Sequence, residues 1–212
     1  LYASTAYIGT LNAQSQTDIT LDGGTINSIS LWRVGNVSFS NVSVSTAILS
    51  TCRNFTIRSG TFSDISIIDG SVNITGARID NLKMPICSWM NIERCSINDA
   101  SVQLDSTVTN YGFTYRCYWS LNTINRLNAS MLKINLSSND ILAANLYFDY
   151  DLMQSISASS VPCELRSNTV HELSIFNNHH GTGNTTNNNI SKNIFEINEN
   201  SIDSLWYELQ CP

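Results

Sequence analysis

Apolar and polar residues alternate in short runs through the first half of the chain, and the runs recur. In "DITLDGG" (18–24), "GNVSFSN" (35–41) and "RNFTIRS" (53–59) a Ser or Thr separates two large apolar residues. Alternation of period two marks a strand with one buried face. The residue types, Ile, Val, Phe and Thr, are those that fit a pleated surface. An Asn or Asp precedes each run, at Asp18, Asn36, Asn54, Asn73, Asn91 and Asn110, and from Asn36 to Asn91 the intervals are 18, 19 and 18 residues.

Cutting the chain at these positions aligns apolar columns. The second place of each segment reads Ile19, Val37, Phe55, Ile74 and Ile92, and the fourteenth reads Leu31, Leu49, Ile67, Ile86 and Leu104. A third column, Ile26, Val44, Phe62, Leu82 and Ala100, slips by one place in its fourth member. The pattern predicts an all-β chain, a parallel β-helix or β-solenoid with rungs of about 18 residues. Three apolar stations per rung predict three short strands joined by tight corners. Asn and Asp tolerate the left-handed backbone of a corner. Stacked Asn36, Asn54, Asn73, Asn91 and Asn110, following Asp18, are therefore expected to hydrogen-bond as an amide ladder. Asp69-Gly70 is expected to absorb the slip in a bulged corner.

After Asn110 the period loosens. Residues 1–110 are expected to form solenoid rungs, and 111–212 to continue them with insertions; a separate small β domain is the alternative. This layout resembles the right-handed parallel β-helix, or pectin-lyase-like, superfamily, whose members include polysaccharide-degrading enzymes, viral and phage tailspikes and surface adhesins. The resemblance is one of fold and carries no function by itself. The paired Asp residues and Gly-His-Gly of its polygalacturonase-type members are absent; the nearest string, "NHHGTG" at 178–183, has no carboxylate beside it.

Composition narrows the function classes. Asn, Ser and Thr make up 74 of 212 residues, charged residues only 13%, and the net charge is −6. The surface is therefore neutral and hydrogen-bonding, without the basic footprint that nucleic acid requires. No run is long and apolar enough for a membrane span. Six Cys without metal-binding spacing suit an oxidising compartment, with six buried free thiols in a cytosolic protein as the alternative, and Cys87 and Cys95, flanking the Asn91 corner, are expected to form a local disulfide.

Candidate chemistry is sparse. Asp80 and Asp99 fall at neighbouring places of consecutive rungs and are the pair to examine for glycoside cleavage, which needs two carboxylates facing each other across a cleft. His179 and His180 lie in an Asn-rich stretch without further ligands nearby. No metal or cofactor is implied. Thr20, Ser38, Thr56 and Thr75 form a polar column too narrow and too irregular for a regular ice-binding face. Asn-x-Ser/Thr sequons occur at 36, 41, 54, 73, 128, 135, 184 and 189; Asn128, Asn135, Asn184 and Asn189 are the expected acceptors among them. The aromatic cluster Tyr111, Phe113, Tyr115, Tyr118 and Trp119 departs from the ladder; such a cluster commonly caps or plugs a core, and if exposed it would stack on a sugar or a protein partner.

The expected function is a non-enzymatic spacer or attachment module, part of a spike or adhesin, on a cell surface, virion surface or outside the cell. Its expected partners are other segments or chains of a larger assembly, and a glycan or surface receptor. A carbohydrate-active β-helix enzyme is the alternative, and an ice-binding solenoid a minor one. The end segments "STAYIGTLNAQSQT" and "LWYELQCP" carry no capping lid, so further chain or another molecule is expected to cover the ends.

Overall fold

The computed structural model describes residues 1–15, 18–86, 89–103, 116–130, 134–149, 163–178 and 195–210. Strands β1 (Tyr2–Ser4) and β2 (Tyr7–Gln14) form one level of a coil, and β3 (Ile19–Asp22) and β4 (Thr25–Trp32) the next. β5 (Asn36–Ser50), β6 (Asn54–Ile68) and β7 (Ser71–Ile86) each run through a whole level. The later levels are again paired strands: β8 (Trp89–Glu93) with β9 (Ser96–Gln103), and β10 (Arg116–Ser120) with β11 (Thr123–Ser130). Then come β12 (Asn135–Ser137) with β13 (Asp140–Asp149), β14 (Cys163–Arg166) with β15 (Thr169–Asn178), and β16 (Phe195–Asn198) with β17 (Ser201–Gln210).

Every pairing is parallel and joins one level to the next. One ladder runs β1, β3, β5, β6, β7, β8, β10, β12, β14, β16. The other runs β2, β4, β5, β6, β7, β9, β11, β13, β15, β17. The chain is a parallel β-solenoid, and β10 to β17 continue the same two ladders as the first half. No described residue is helical.

The alternation seen in the sequence fills the coil. Leu21, Phe39, Ile57, Ile74, Ile92, Trp119, Leu136 and Leu165 stack level upon level, all 0–1% exposed. Phe39 meets Phe55 edge-on at 5.5 Å and stacks with Phe62 at 6.3 Å. Each such ring, fully buried, contributes about 1.5–3 kcal/mol from removal of apolar surface. The second ladder carries the columns through Ile26 and Ile29, whose three-residue separation breaks the alternation. The residue between the pairing segments there, Asn27, is exposed. Each level thus has three straight segments, as the three apolar stations predict.

The columns differ from the expected alignment at the step from β6 to β7, where Phe62 pairs with Ile79 and Leu82 with Ile65, and Ile86 pairs with Ile68. Asn54 pairs with Ser71 and Thr56 with Asn73, so Asn73 stands two residues from the Asn54 column. A shift of two preserves the facing of every side chain, and Val72 and Ile74 are both buried. The corner Asp69-Gly70 is tight, with φ of 61° and 137°, and a Cβ on Gly70 would press on the Cys52 carbonyl. The bulge expected there lies instead where Ser66↔Lys83 gives way to Ile68↔Ile86, which leaves an extra residue in β7 beside Pro85. Proline lacks the N–H that a regular ladder would use.

The Asn ladder is consequently split. Asn36 Nδ2 donates to Asp18 Oδ1 at 3.1 Å and Asn54 Nδ2 to Asn36 Oδ1 at 2.8 Å, all exposed. Asn73 accepts from Asn91 Nδ2 at 3.3 Å in a separate column. Asn91 then pairs with Tyr118; Asn110 lies outside the described residues.

A second, buried ladder occupies the other corner. Asn122 and Asn139 each donate Nδ2 to the Oδ1 of the next Asn, Asn139 at 2.9 Å and Asn168 at 3.0 Å. Asn168 Nδ2 continues the series to Asn200 Oδ1 at 2.8 Å. Each Nδ2 also donates to a backbone carbonyl, of Ile92, Trp119 and Leu136 respectively. Each Oδ1 accepts a backbone N–H from the level before, beginning with that of Cys95. Asn122, Asn139 and Asn168 are 2% exposed. The residue before each Asn (Leu121, Ser138, Ser167, Glu199) has φ of 54–57°. Such a φ is the left-handed turn that points the Asn inward.

Candidate functional site

On the outside of the first ladder the strands β10, β12 and β14 enclose a groove of about 350 Å³. Its origin is the size of successive outward residues. Tyr118, Asn135 and Glu164 stand in one column, and Ser120, Ser137 and Arg166 in the next. The serines are short and lie between longer neighbours, so a depression opens above them; Asn91 borders it one level away from Tyr118. The inward neighbours Trp119, Leu136 and Leu165 are fixed in the core, which makes the floor rigid.

The groove holds uncommitted polar groups. Asn135 Oδ1 is withdrawn from solvent and has no hydrogen-bond partner. A buried acceptor without a donor is uncommon in folded proteins and calls for an explanation. No described residue donates to the Glu164 carboxylate. Arg166 Nε lies 3.8 Å from the Glu199 carboxylate and the side chain is 59% exposed, so it remains free to turn toward a ligand.

The residues singled out from the sequence are placed as follows. Tyr118 is half-buried on the groove, but Trp119 belongs to the core: strand alternation turns it inward, and its indole N–H donates to Cys117 Sγ at 2.8 Å. It is unavailable to a ligand, so of the two readings of the aromatic cluster the core one holds for Trp119 and the ligand-binding one does not. Tyr111, Phe113 and Tyr115 lie outside the described residues, as do His179, His180, Asn184 and Asn189.

Asp80 and Asp99 stand on consecutive levels, Asp80 one residue before the partner of Asp99. Asp99 is level with Asn81 and Arg126; it takes an ion pair from Arg126 at 3.1 Å and a hydrogen bond from Asn98 Nδ2 at 3.0 Å. Asp80 is exposed at the bend between Ile79 and Asn81. Among the described residues no group of three or more His, Cys, Asp and Glu could hold a metal ion.

Cys95 is a free, buried thiol, so the bridge to Cys87 expected from spacing is not formed; Cys87 itself lies outside the described residues. The corner turns Cys95 inward, where its Sγ lies 3.3 Å from the Glu93 carbonyl. Cys52 is also a free, buried thiol, and Cys117 is buried. Burial pushes the thiols of Cys52 and Cys95 up from the ordinary range, against hydrogen bonds that favour the thiolate. Asn128 is half-buried in β11, where its Oδ1 accepts from Asn145 Nδ2 at 2.9 Å, and Asn135 is half-buried in β12.

Sequence reasoning missed the groove and the buried ladder. The ladder Asn residues are 17, 29 and 32 apart, which no fixed period finds. A local signal was present: "LNTI", "SNDI", "SNTV" and "ENSI" open at residues 121, 138, 167 and 199. Each places Asn before a small polar or acidic residue and then a β-branched apolar one.

No family model, no curated protein and no solved structure matches this chain.

Proposed function

We propose that the protein is a stiff, non-enzymatic spacer and attachment module, displayed outside the cell or on a virion surface as part of a spike or adhesin. The carrying observation is the continuity of both parallel ladders from β1 and β2 to β16 and β17. Levels about 4.8 Å apart make this a rod roughly 40 Å long with one continuous core. A sheet stacked in this way resists bending, because every level is hydrogen-bonded to the next along its length. The lateral surface is rich in Asn, Ser and Thr, which hydrogen-bond a partner without strong long-range charge. The engaged state of Asp99 weighs against a cleaving pair, since its carboxylate already serves Arg126 and Asn98.

A glycan array and a reducing-sugar assay on one preparation test the reading. Binding without turnover is expected. Release of reducing ends that disappears in Asp80→Asn or Asp99→Asn would overturn it in favour of a glycoside-cleaving enzyme.

A further inference from the structure

We infer that the groove on β10, β12 and β14 is a binding site for a neutral saccharide of one or two rings. This deepens the attachment reading and rests on it. The argument starts from what the groove lacks. Among the described residues, Asn135 Oδ1 is buried and unpaired, and the neighbouring Glu164 carboxylate, one level away, receives no donor. Two unpaired acceptors on neighbouring strands, whose backbones lie about 4.8 Å apart, call for a ligand that carries several donors on a similar scale. Hydroxyls of one pyranose ring meet the requirement.

The other groups sort among the ligand classes. Ser120 and Ser137 hydroxyls both donate and accept, so they match further sugar hydroxyls. Arg166 supplies donors to sugar oxygens from the rim. The Tyr118 ring offers an apolar surface for the C–H face of a pyranose. An anion would meet the Glu164 carboxylate and the unpaired oxygen of Asn135, and a cation would meet Arg166. A neutral, hydroxyl-rich molecule is the class that finds complementary groups throughout. At about 350 Å³ the groove is at the small end of ligand sites, which limits the occupant to one or two rings.

The test uses the 212-residue chain made in bacteria, so that Asn135 carries no glycan. Saturation-transfer and amide-shift NMR are run against neutral mono- and disaccharides (glucose, galactose, mannose, N-acetylglucosamine, lactose) and two acidic sugars, galacturonate and N-acetylneuraminate. At least one neutral sugar should bind with a millimolar or tighter Kd and shift amides of β10, β12 and β14. Ser137→Phe, which fills the depression, should weaken binding at least about tenfold. Ser40→Phe, in the same outward column several levels away, should leave it unchanged. Asn135→Leu should also lose binding while melting no lower than the parent, because it removes an acceptor that has no partner in the protein.

Binding by acidic sugars alone, no binding by any sugar, or binding indifferent to Ser137→Phe and Asn135→Leu would overturn the inference. The attachment reading is judged separately: it fails on turnover in the reducing-sugar assay or on a glycan array to which nothing binds, whereas array binding that leaves the groove amides unshifted overturns only the present inference.

Discussion

Replacing Asn139 by Leu separates the buried amide ladder from the exposed one. The two side chains are close in shape, so the substitution opens no large cavity. It breaks four buried hydrogen bonds, one of them the 3.0 Å bond from its own Nδ2 to Asn168 Oδ1, which keeps the backbone N–H of residue 139 as a donor. The backbone N–H of Asn122 loses its 3.0 Å bond, the Asn122 side-chain amide loses its 2.9 Å bond, and the Trp119 carbonyl loses its 2.8 Å bond. Each unsatisfied group costs about 1–3 kcal/mol, and partial relaxation puts the total at about 3–6 kcal/mol. For a chain of this size about 1 kcal/mol shifts the melt by roughly 2–4 °C, so a drop of at least about 6 °C is expected. Asn54→Ala breaks an exposed amide bond that water replaces, and should change stability by no more than about 0.5 kcal/mol. Solenoids open locally as well as globally, so hydrogen exchange is the sharper assay. In Asn139→Leu the Asn122 amide should lose protection. The amide of residue 139 should keep it, because its bond to Asn168 Oδ1 is untouched. Unchanged protection at Asn122, with a melt within about 1 kcal/mol of the parent, would refute the argument that these bonds hold the corner.

Phe55→Asp places a charge in the core against Phe39 and should prevent folding or cost more than about 4 kcal/mol, whereas Arg58→Asp on the exposed side should be nearly silent in thermal melts. Cys52 and Cys95 are buried thiols with the thiolate disfavoured, so peptide mapping after alkylation should find both unmodified in native protein and labelled in urea. The Asp18 carboxyl is held below its ordinary value by hydrogen bonds from the backbone and then the side chain of Asn36. Its folded pKa is the lower one, so its support for the first corner is full above the unfolded Asp range and fades as pH falls through the folded value. Carboxyl NMR should show Asp18 titrating below an Asp model peptide, and Asn36→Ala should move it up.

The sequence made the strand type and the inward-facing residues legible because both depend on alternation alone. Ile19, Val37, Phe55 and Ile74 are all in the core, although Ile74 stands two places away from its assumed column. An error of two in register is invisible to a pattern of period two, which is why the core residues could be right while the Asn54–Asn73 pairing was wrong. The ligand-binding reading of Trp119 failed for the opposite reason: proximity to Tyr111, Phe113 and Tyr115 suggested a shared surface, whereas its neighbour-by-neighbour alternation with Tyr118 put it inside. The groove was illegible because its walls come from Tyr118, Asn135 and Glu164, which are 17 and 29 residues apart and meet only through the ladder. Chain segments of unequal length between Ser130 and Asn135 and between Asp149 and Cys163 hide that adjacency from any fixed repeat.

Two of the corners of each level divide the work. From Gln103 onward the chain between the end of one level and the start of the next varies in length, at 104–115, 131–134, 150–162 and 179–194. The opposite corner does not vary: it remains two residues at 94–95, 121–122, 138–139, 167–168 and 199–200. In the earlier levels that corner is filled by Gly24, Val42, Gly60 and Ala77, and tight connections on the other side help to keep the strands level. Once those connections lengthen, they no longer define the height of the next strand, and the constant corner must. Its occupant changes at that point, from Cys95 to Asn122, Asn139, Asn168 and Asn200, and each amide ties its level to those on either side. The groove residues Ser120, Ser137 and Arg166 each lie two positions before a ladder Asn. The buried amides therefore set the vertical spacing of the groove directly, and a site built on rigid strands beside a fixed corner needs little ordering when a ligand arrives.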